Sequence, residues 1–522
     1  MGYKQLFENF ENVNEPSECK LIGSVPSWLS GTMLRNGPGM FKLGGTEYKH
    51  WFDGLAYIQR YHFSNGKMFY SARYLESEAY KACMAAQRLV ATAFGTRSCG
   101  ELASTFSTEN ELRDNCLIAF TTVGDAVYAL TEIPCLARVD IDSLDYKDRV
   151  DIRDHLKIVL HTFTAHTHTD PAGNILNIGS QFGRKSNYIF AEIKNPLKIE
   201  GAKSPHSFEY TELLGMVPAT DALAPAYYHS FGVTENYFIL FESPERINIM
   251  KKAQKKEGEA QKCINECMYW DEKAKSVNVI IFDRIKRTKI ERKITSDAFF
   301  TYHHANAYEK DGYLVVDYCK MLNPGNLDDF LLEHMRDGTY KTRNPNLAPY
   351  LHRMIIPLTV SDSRKPDEDL LSSCSFANFG CKAVLRMDGS IHCTDVKMSE
   401  ISFDFPRYNY DLNMKDYRYV YGADVFCGNS KNGIIKVDLK NRTSKVWFMD
   451  NDSQICAEPI LVNKPDYKKE DDGILLVPVM TTIKNDTPYV AIIDAETLKE
   501  MGRFLVPQSR IPFGFHSHYT PR

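Results

Sequence analysis

Short apolar runs and polar breaks alternate along nearly the whole chain, and the runs come in pairs. In four places a β-branched run ends in Asp, a polar cluster follows, and a second run begins. These are residues 136–150 with Val139-Asp140, 277–290 with Phe282-Asp283, 434–448 with Val437-Asp438 and 490–505 with Ile493-Asp494. Alternation sets two faces and the polar cluster supplies turn residues, so each segment predicts a β-hairpin. Further hairpin turns are expected at Ser64-Asn65-Gly66-Lys67, Asp170-Pro171-Ala172-Gly173-Asn174 and Met387-Asp388-Gly389-Ser390. Many short antiparallel strands predict a sandwich, a barrel or a propeller, and an irregular repeat favours the propeller. Several unrelated β domains are the plainer alternative. Helical signal is sparse: residues 245–261, with the basic run Lys251-Lys252-Ala253-Gln254-Lys255-Lys256, and residues 323–340. The first reads as a solvated helix, with a membrane-surface helix as the sharper alternative. No low-complexity linker divides the chain, so one architecture over residues 1–522 is expected.

Composition narrows the class. The chain has 522 residues, 43% hydrophobic and 25% charged, which fits a folded globular protein and excludes wholesale disorder. Lys and Arg number 63 against 67 Asp and Glu, and a net charge of -4 leaves no electrostatic footprint for nucleic acid. The 29 Phe, 29 Tyr and 4 Trp favour strands and can line apolar pockets. No run approaches the roughly 18–20 apolar residues of a spanning helix, so no transmembrane helix is expected. The opening Met1-Gly2-Tyr3-Lys4-Gln5-Leu6 lacks an apolar signal core, and Leu6 stands where a myristoylation motif carries Ser or Thr. The thirteen cysteines are odd in number and scattered from Cys19 to Cys456, and only Cys263 and Cys267 are close. That pattern suggests neither a disulfide framework nor a zinc motif, and a reducing cytoplasm is the expected compartment.

There is no P-loop, dinucleotide fingerprint or nucleophile elbow. Of fifteen histidines, four sit beside apolar or aromatic strand residues in widely separated places. They are His166 in Thr164-Ala165-His166-Thr167-His168, His229 in Tyr227-Tyr228-His229-Ser230-Phe231-Gly232, His303 in Phe300-Thr301-Tyr302-His303-His304-Ala305-Asn306, and His516 in Ile511-Pro512-Phe513-Gly514-Phe515-His516. Such spacing is wrong for a local metal motif but suits a site on the axis of a radial fold. Taken singly, each could equally be a satisfied core histidine.

Longer motifs surround them: Leu34-Arg35-Asn36-Gly37-Pro38-Gly39, His50-Trp51-Phe52-Asp53-Gly54, Ala457-Glu458-Pro459-Ile460 and Glu470-Asp471-Asp472-Gly473. Together with the histidine contexts they resemble the carotenoid cleavage oxygenases, in the animal branch that includes β-carotene-cleaving enzymes and a retinoid isomerase. The resemblance runs from about Leu21 to the C-terminus. It implies an all-β, seven-bladed β-propeller with a helical cap and one non-haem Fe(II) on the axis, with residues 1–20 as an N-terminal extension. It makes His166, His229, His303 and His516 the iron ligands, and leaves His168 and His304 as structural or supporting residues. Imidazole suits Fe(II), and four neutral ligands leave open positions for O2. The resemblance also implies carboxylates holding the ring N–H of three ligands: Glu132 for His229, Glu458 for His516 and Asp404 for His303. At this third position the family usually has Glu before Phe-Pro, whereas this chain reads Phe403-Asp404-Phe405-Pro406. Asp is one methylene shorter, so contact needs a backbone shift of about an ångström or a bridging water; otherwise the site binds iron more weakly.

The implied activity is that of a dioxygenase adding O2 across a conjugated C=C of a carotenoid to give two carbonyl fragments. Central cleavage of β-carotene to retinal, with or without trans-to-cis isomerisation of one half, is the leading expectation. The Pro512-Phe513-Gly514-Phe515-His516 ending is closer to enzymes that cleave eccentrically, which makes eccentric cleavage the runner-up. A retinoid isomerase that uses the iron without consuming O2, and a non-catalytic carotenoid-binding propeller, are the rival classes. After Phe94-Gly95-Thr96 the chain continues Arg97-Ser98-Cys99-Gly100, without the Pro-Asp-Pro-Cys segment of many animal relatives. Loose peripheral association with a membrane, through an apolar patch at the tunnel mouth, is the expectation that remains.

Overall fold

The computed structural model describes residues 2–90, 93–97, 114–254, 262–325, 327–361, 363–377, 379–426 and 433–521. Strands dominate, helices are few and short, and the arrangement is propeller-like. Four antiparallel sheets stand alone: four strands within residues 119–151, five within 162–218, four within 300–397 and four within 404–448. A seven-stranded sheet spans residues 232–394, and an eleven-stranded sheet is assembled from both ends of the chain.

The expected hairpins are present, with Leu136 paired to Val150, Phe282 to Lys289, Ile434 to Trp447 and Val490 to Phe504. At the turn between Ser64 and Lys67, Asn65 and Gly66 take φ of 51° and 74°, the left-handed pair that a tight hairpin of this twist requires. Strand Gly473–Thr481 (GILLVPVMT) is buried at every position, because neighbouring layers cover both its faces. The outer strands Tyr146–Asp151 and Thr443–Phe448 are largely polar and carry Lys147, Asp148, Arg149 and Lys445. Charges along an edge oppose pairing with another chain.

Helices are smaller than the sequence predicts. Among the described residues of 245–261, Glu245–Ile247 is a strand paired with Met268–Trp270, and Ile249–Ala253 is helical. Asn248 starts that helix by accepting the Lys251 N–H at 2.7 Å. Residues 255–261, with Lys255 and Lys256, lie outside the described residues, as does Cys99. Residues 323–340 are broken rather than continuous: a 3-10 turn at Asp328–Phe330, a helix at Leu332–Asp337, then Gly338 at φ 80°. A left-handed glycine ends a helix at that point.

Residues 1–20, read from the sequence as an extension, are knitted into the fold. The 3-10 helix Tyr3–Phe7 buries Leu6 and Phe7 completely. Strand Val13–Gly23 pairs through residues 13–19 with Lys67–Tyr74 and through residues 20–23 with Glu500–Leu505. At the other end, Ser517–Pro521 pairs with Gly31–Arg35. The chain ends thus close one sheet.

The long motifs serve this closure. The Asn36 carbonyl accepts the Phe515 N–H at 2.8 Å, and the Asn36 N–H donates to the His516 carbonyl at 2.9 Å. Arg35 donates to the Gly514 carbonyl at 3.0 Å. A Cβ on Gly37 would lie 2.4 Å from the Gly514 Cα, so the two backbones touch only because both positions are glycine. Trp51 stacks on Phe513 with centroids 4.9 Å apart and donates its ring N–H to the Phe513 carbonyl at 3.0 Å. Together these contacts fix the segment that delivers His516. Gly37→Ala is therefore expected to cost about 1–3 kcal/mol in urea unfolding, through forced overlap in a packed region. It is also expected to lower bound metal per chain, measured by elemental analysis.

Candidate metal centre

His166 follows the short strand Thr162–Phe163, His229 precedes Gly232–Val233, and His516 immediately precedes Ser517–Pro521. His303 lies within Phe300–Lys310, where the pairing register shifts. Irregular backbone at these points turns the rings inward, and the four imidazoles meet with one ligand atom each inside a 4.8 Å cluster. The closest pair is His166 Nε2 and His229 Nε2, 2.8 Å apart. His166 also lies 4.5 Å from His516 and 4.9 Å from His303 between ring centroids.

Three of the rings are oriented by carboxylates. Glu132 accepts from His229 Nδ1 at 2.5 Å, Asp404 from His303 Nδ1 at 2.7 Å, and Glu458 from His516 Nδ1 at 2.9 Å. A carboxylate at Nδ1 fixes the proton there and leaves Nε2 with its lone pair free to bind a metal. The His303 Nε2 is buried and has no hydrogen-bond partner, which fits a nitrogen reserved for an ion. A bare imidazole nitrogen at that depth costs about 1–3 kcal/mol unless something occupies it.

The Asp404 contact is direct. Pairing between Asp404–Arg407 and Tyr419–Asp424 is irregular, and Phe405 sits at φ 54°. The direct contact means that neither a bridging water nor a longer residue is required. The Phe405 ring then lies 5.2 Å from His303.

Two supporting residues carried no signal in the sequence. Arg407, three positions after Asp404, bonds Glu458 at 2.9 Å and the Ser517 carbonyl at 2.8 Å. Burial alone would raise the Glu458 carboxyl, but the Arg407 guanidinium and His516 outweigh it and hold it well below the usual carboxylate range. Tyr227 donates to Glu132 at 2.9 Å. His168 and His304 stand apart from the cluster: His168 bonds the Phe231 carbonyl at 3.0 Å and His304 bonds Ser230 at 2.8 Å.

Burial, reinforced by the neighbouring imidazoles, pushes His166 well below its ordinary 6.5. Burial also takes His516 down to about 4, against the opposing pull of Glu458. His166 and His516 are therefore neutral near pH 7, the form that binds metal.

Beside the cluster lies a cavity of about 260 Å³. Its wall includes His229, His303, His516, Glu132 and Asp404, and is otherwise mostly aromatic and aliphatic, with Trp51, Phe52, Phe94, Phe330, Phe405, Phe426 and Phe515. Such a chamber takes an apolar ligand and presents it to one polar point.

A propeller-like all-β protein with four clustered imidazoles, three of them in the wall of an aromatic cavity, is thereby defined. The chain belongs to the retinal pigment epithelial membrane protein family, whose model matches residues 6–521. It is 34% identical to a β,β-carotene 15,15′-dioxygenase of Gallus gallus, over 98% of this chain and 97% of that protein. It is 30% identical to a mitochondrial carotenoid-cleaving dioxygenase of Homo sapiens, over 99% and 90% of the two chains. A cobalt-substituted apocarotenoid oxygenase of Synechocystis has the same fold, with TM-score 0.76 at 20% identity over 100% and 98% of the chains.

Two outcomes are expected here. Asp404→Glu does not raise metal content, because Asp404 already reaches His303, whereas Asp404→Ala weakens metal binding about 10–100-fold in a competition titration. The metal-free protein loses stability as pH falls from near 6.5 toward 4. Burial holds His50, His168 and His516 near 4 in the folded state, so the unfolded chain binds more protons across that window. Urea midpoints measured from pH 8 to pH 4 check this; a flat profile would contradict it.

Proposed function

We propose that His166, His229, His303 and His516 hold one Fe(II) ion, and that the chain is a dioxygenase that cleaves a carotenoid. The observation that carries this reading is the cluster of four imidazoles, three of them backed by Glu132, Asp404 and Glu458 and lining an aromatic cavity. Fe(II) is favoured because an all-imidazole set suits it and leaves positions free for O2. Bound there, the ion supplies the redox chemistry that lets O2 add across a C=C, each oxygen atom ending in one carbonyl product with no external reductant.

The chain's own residues do the rest. The carboxylates fix the imidazole tautomers, while Phe52, Phe94, Phe330, Phe405 and Phe515 exclude water and hold a flat polyene against the cluster. Central cleavage of β-carotene to retinal leads, supported by the 34% identity to a β,β-carotene 15,15′-dioxygenase. Eccentric cleavage follows, supported by the 30% identity to a carotenoid-cleaving dioxygenase. Coupled isomerisation, O2-independent retinoid isomerase activity and carotenoid binding without turnover are the remaining readings.

The sheets suggest seven blades in a single domain. The eleven-stranded sheet divides into a blade of residues 31–74 with 517–521 and one of residues 454–505, with strand Val13–Gly23 as the seam. With the four separate sheets and the seven-stranded one, that makes seven. The short helices Glu78–Ala86, Leu332–Asp337 and Tyr340–Arg343 would form the cap.

No described helix is long and apolar enough to cross a membrane. A cytoplasmic location with loose surface contact is the reading adopted, and the contact is supported by exposed Met250 and Leu223, which adjoin the cavity-lining Ile249, whose N–H donates to the Leu223 carbonyl at 3.0 Å.

Aerobic incubation of the Fe(II)-loaded protein with β-carotene, with products resolved by chromatography and mass spectrometry, tests the reading. Retinal alone is the expected product. A long apocarotenal with an ionone fragment would move the assignment to eccentric cleavage. Failure of an iron-replete sample to consume O2 with any carotenoid or apocarotenoid would overturn it.

A further inference from the structure

Away from the metal cluster, the aromatic cavity is walled by separate segments that meet on one strap, residues 262–267. Phe94, Ile249, Lys252 and Phe330 line the cavity from three of these segments, and Ile264 lines it from the strap itself. The strap holds the others. Its Asn265 N–H donates to the Phe94 carbonyl at 3.0 Å, and its Cys267 carbonyl accepts the Asn248 N–H at 2.9 Å. The Lys252 ammonium donates to the Lys262 carbonyl at 2.8 Å, and the Asn265 side-chain amide donates to Asp328 at 3.1 Å. Cys263, Asn265 and Cys267 are buried, whereas Ile264 and Glu266 between them are half-buried. The strap therefore crosses the place where the cavity wall meets the surface.

Glu266 fastens this strap to residues 93–97. Both its carboxylate oxygens accept from the Arg97 guanidinium, at 2.6, 2.8 and 2.9 Å, and one of them also accepts the Cys263 N–H at 3.0 Å. Arg97 opens the stretch in which this chain lacks the Pro-Asp-Pro-Cys segment. On the inner side, residues 93–97 are held by Asp53 of the cavity wall, which accepts the Gly95 N–H at 2.8 Å and the Thr96 hydroxyl at 2.5 Å. A Cβ on Gly95 would lie 2.4 Å from the His50 Cβ, so the segment is pressed onto the core there. The two attachments differ in kind. Asp53 is buried, whereas the Arg97 and Glu266 side chains keep 44% and 31% of their exposure. An exposed ion pair is weak and is screened by salt, so it opens and re-forms while the buried attachment stays in place.

We propose that the Arg97–Glu266 pair is a clasp that positions the rim of the cavity and controls the passage of a polyene into and out of the site. This deepens the reading above and rests on the cavity being the polyene site. Arg97 and Glu266 are positioning residues: the wall is formed by Phe94 and Ile264, and the pair acts through them. With the clasp shut, residues 93–97 and the strap are joined by the Phe94–Asn265 backbone bond and the ion pair together. With it open, the backbone bond alone spans the two. A conjugated chain is stiff and flat and cannot thread a bend, so its passage requires the two segments to part. The four histidines lie on other segments, so the clasp bears on entry and exit more than on the reacting bond.

The test times the release of retinal from the full-length metal-loaded protein into phosphatidylcholine vesicles. Stopped-flow tryptophan fluorescence follows it, with Trp51 in the cavity wall contributing to the signal. The unaltered chain is compared with Arg97→Ala, Glu266→Gln, the double variant and Arg97→Lys. At low salt, each of the first two is expected to release retinal about two- to fivefold faster, the range that an exposed bidentate pair supports. The double variant is expected to match the single ones rather than multiply their effects, because the two residues form one contact. Arg97→Lys keeps the charge without the fork and is expected to fall between. Raising the salt to about 1 M is expected to bring the unaltered protein toward the variants. Metal per chain and melting temperature are measured alongside: faster release with both retained supports the clasp, whereas release that tracks their loss would overturn it. With a carotenoid as substrate, the fold-change is expected to be larger in kcat/KM than in the single-turnover cleavage rate; the reverse order would also overturn the proposal. Equal release rates in every form, or effects that multiply in the double variant, would overturn it and leave the polyene reading intact. Failure of retinal to quench the unaltered protein saturably would remove the polyene reading, and the clasp's role with it.

Discussion

Four imidazoles with ligand atoms confined to 4.8 Å cannot be held together by their own attraction. Their bare nitrogens repel as lone pairs, and three of the rings cannot relax by turning, because their Nδ1 is bonded to a carboxylate. The arrangement persists only if the scaffold over-determines every ring. Each histidine comes from a different sheet or seam, so the rigidity of the whole propeller-like frame is concentrated at one point. The clamp of Arg35, Asn36, Gly37 and Trp51 on residues 513–516 is best understood in this light: it steadies the one histidine that sits on a chain terminus rather than between two paired strands.

The carboxylates extend that control outward. Glu458 is held by Arg407 and the Ser517 N–H, and Glu132 by Tyr227. Each orienting group is itself oriented, which is how a buried site keeps its geometry without strain at the ring. The aromatic wall lies on top of this polar skeleton. A flat hydrocarbon can therefore approach to within contact of the cluster while water is kept away from it.

Much of the fold was legible because it is local. Period-two alternation and turn residues specify a hairpin within about a dozen positions, and segments such as 434–448 fold as written. The helices were overread because tertiary pairing overrode composition: Glu245–Ile247 looks helical beside its lysines but is a strand against Met268–Trp270. The four histidines share no local spacing; their apolar and aromatic contexts picked them out, and only the resemblance assigned them as ligands. The direct reach of Asp404 to His303 could not be read from its side-chain length. Arg407 and Tyr227 act through contacts between distant segments, which exist only in three dimensions.

The seam between the two ends of the chain also bears on how the molecule assembles. Val13–Gly23 waits for Glu500–Leu505, and Gly31–Arg35 waits for Ser517–Pro521. Pairings of that sequence separation close a very long loop before they return any stabilisation, so they belong to the slow, late part of folding. His516 lies on this last segment, after the other three histidines in chain order. The pairing of Ser517–Pro521 with Gly31–Arg35 places His516 beside the other three imidazoles, so one contact between distant segments closes the β-sheet and completes the histidine cluster.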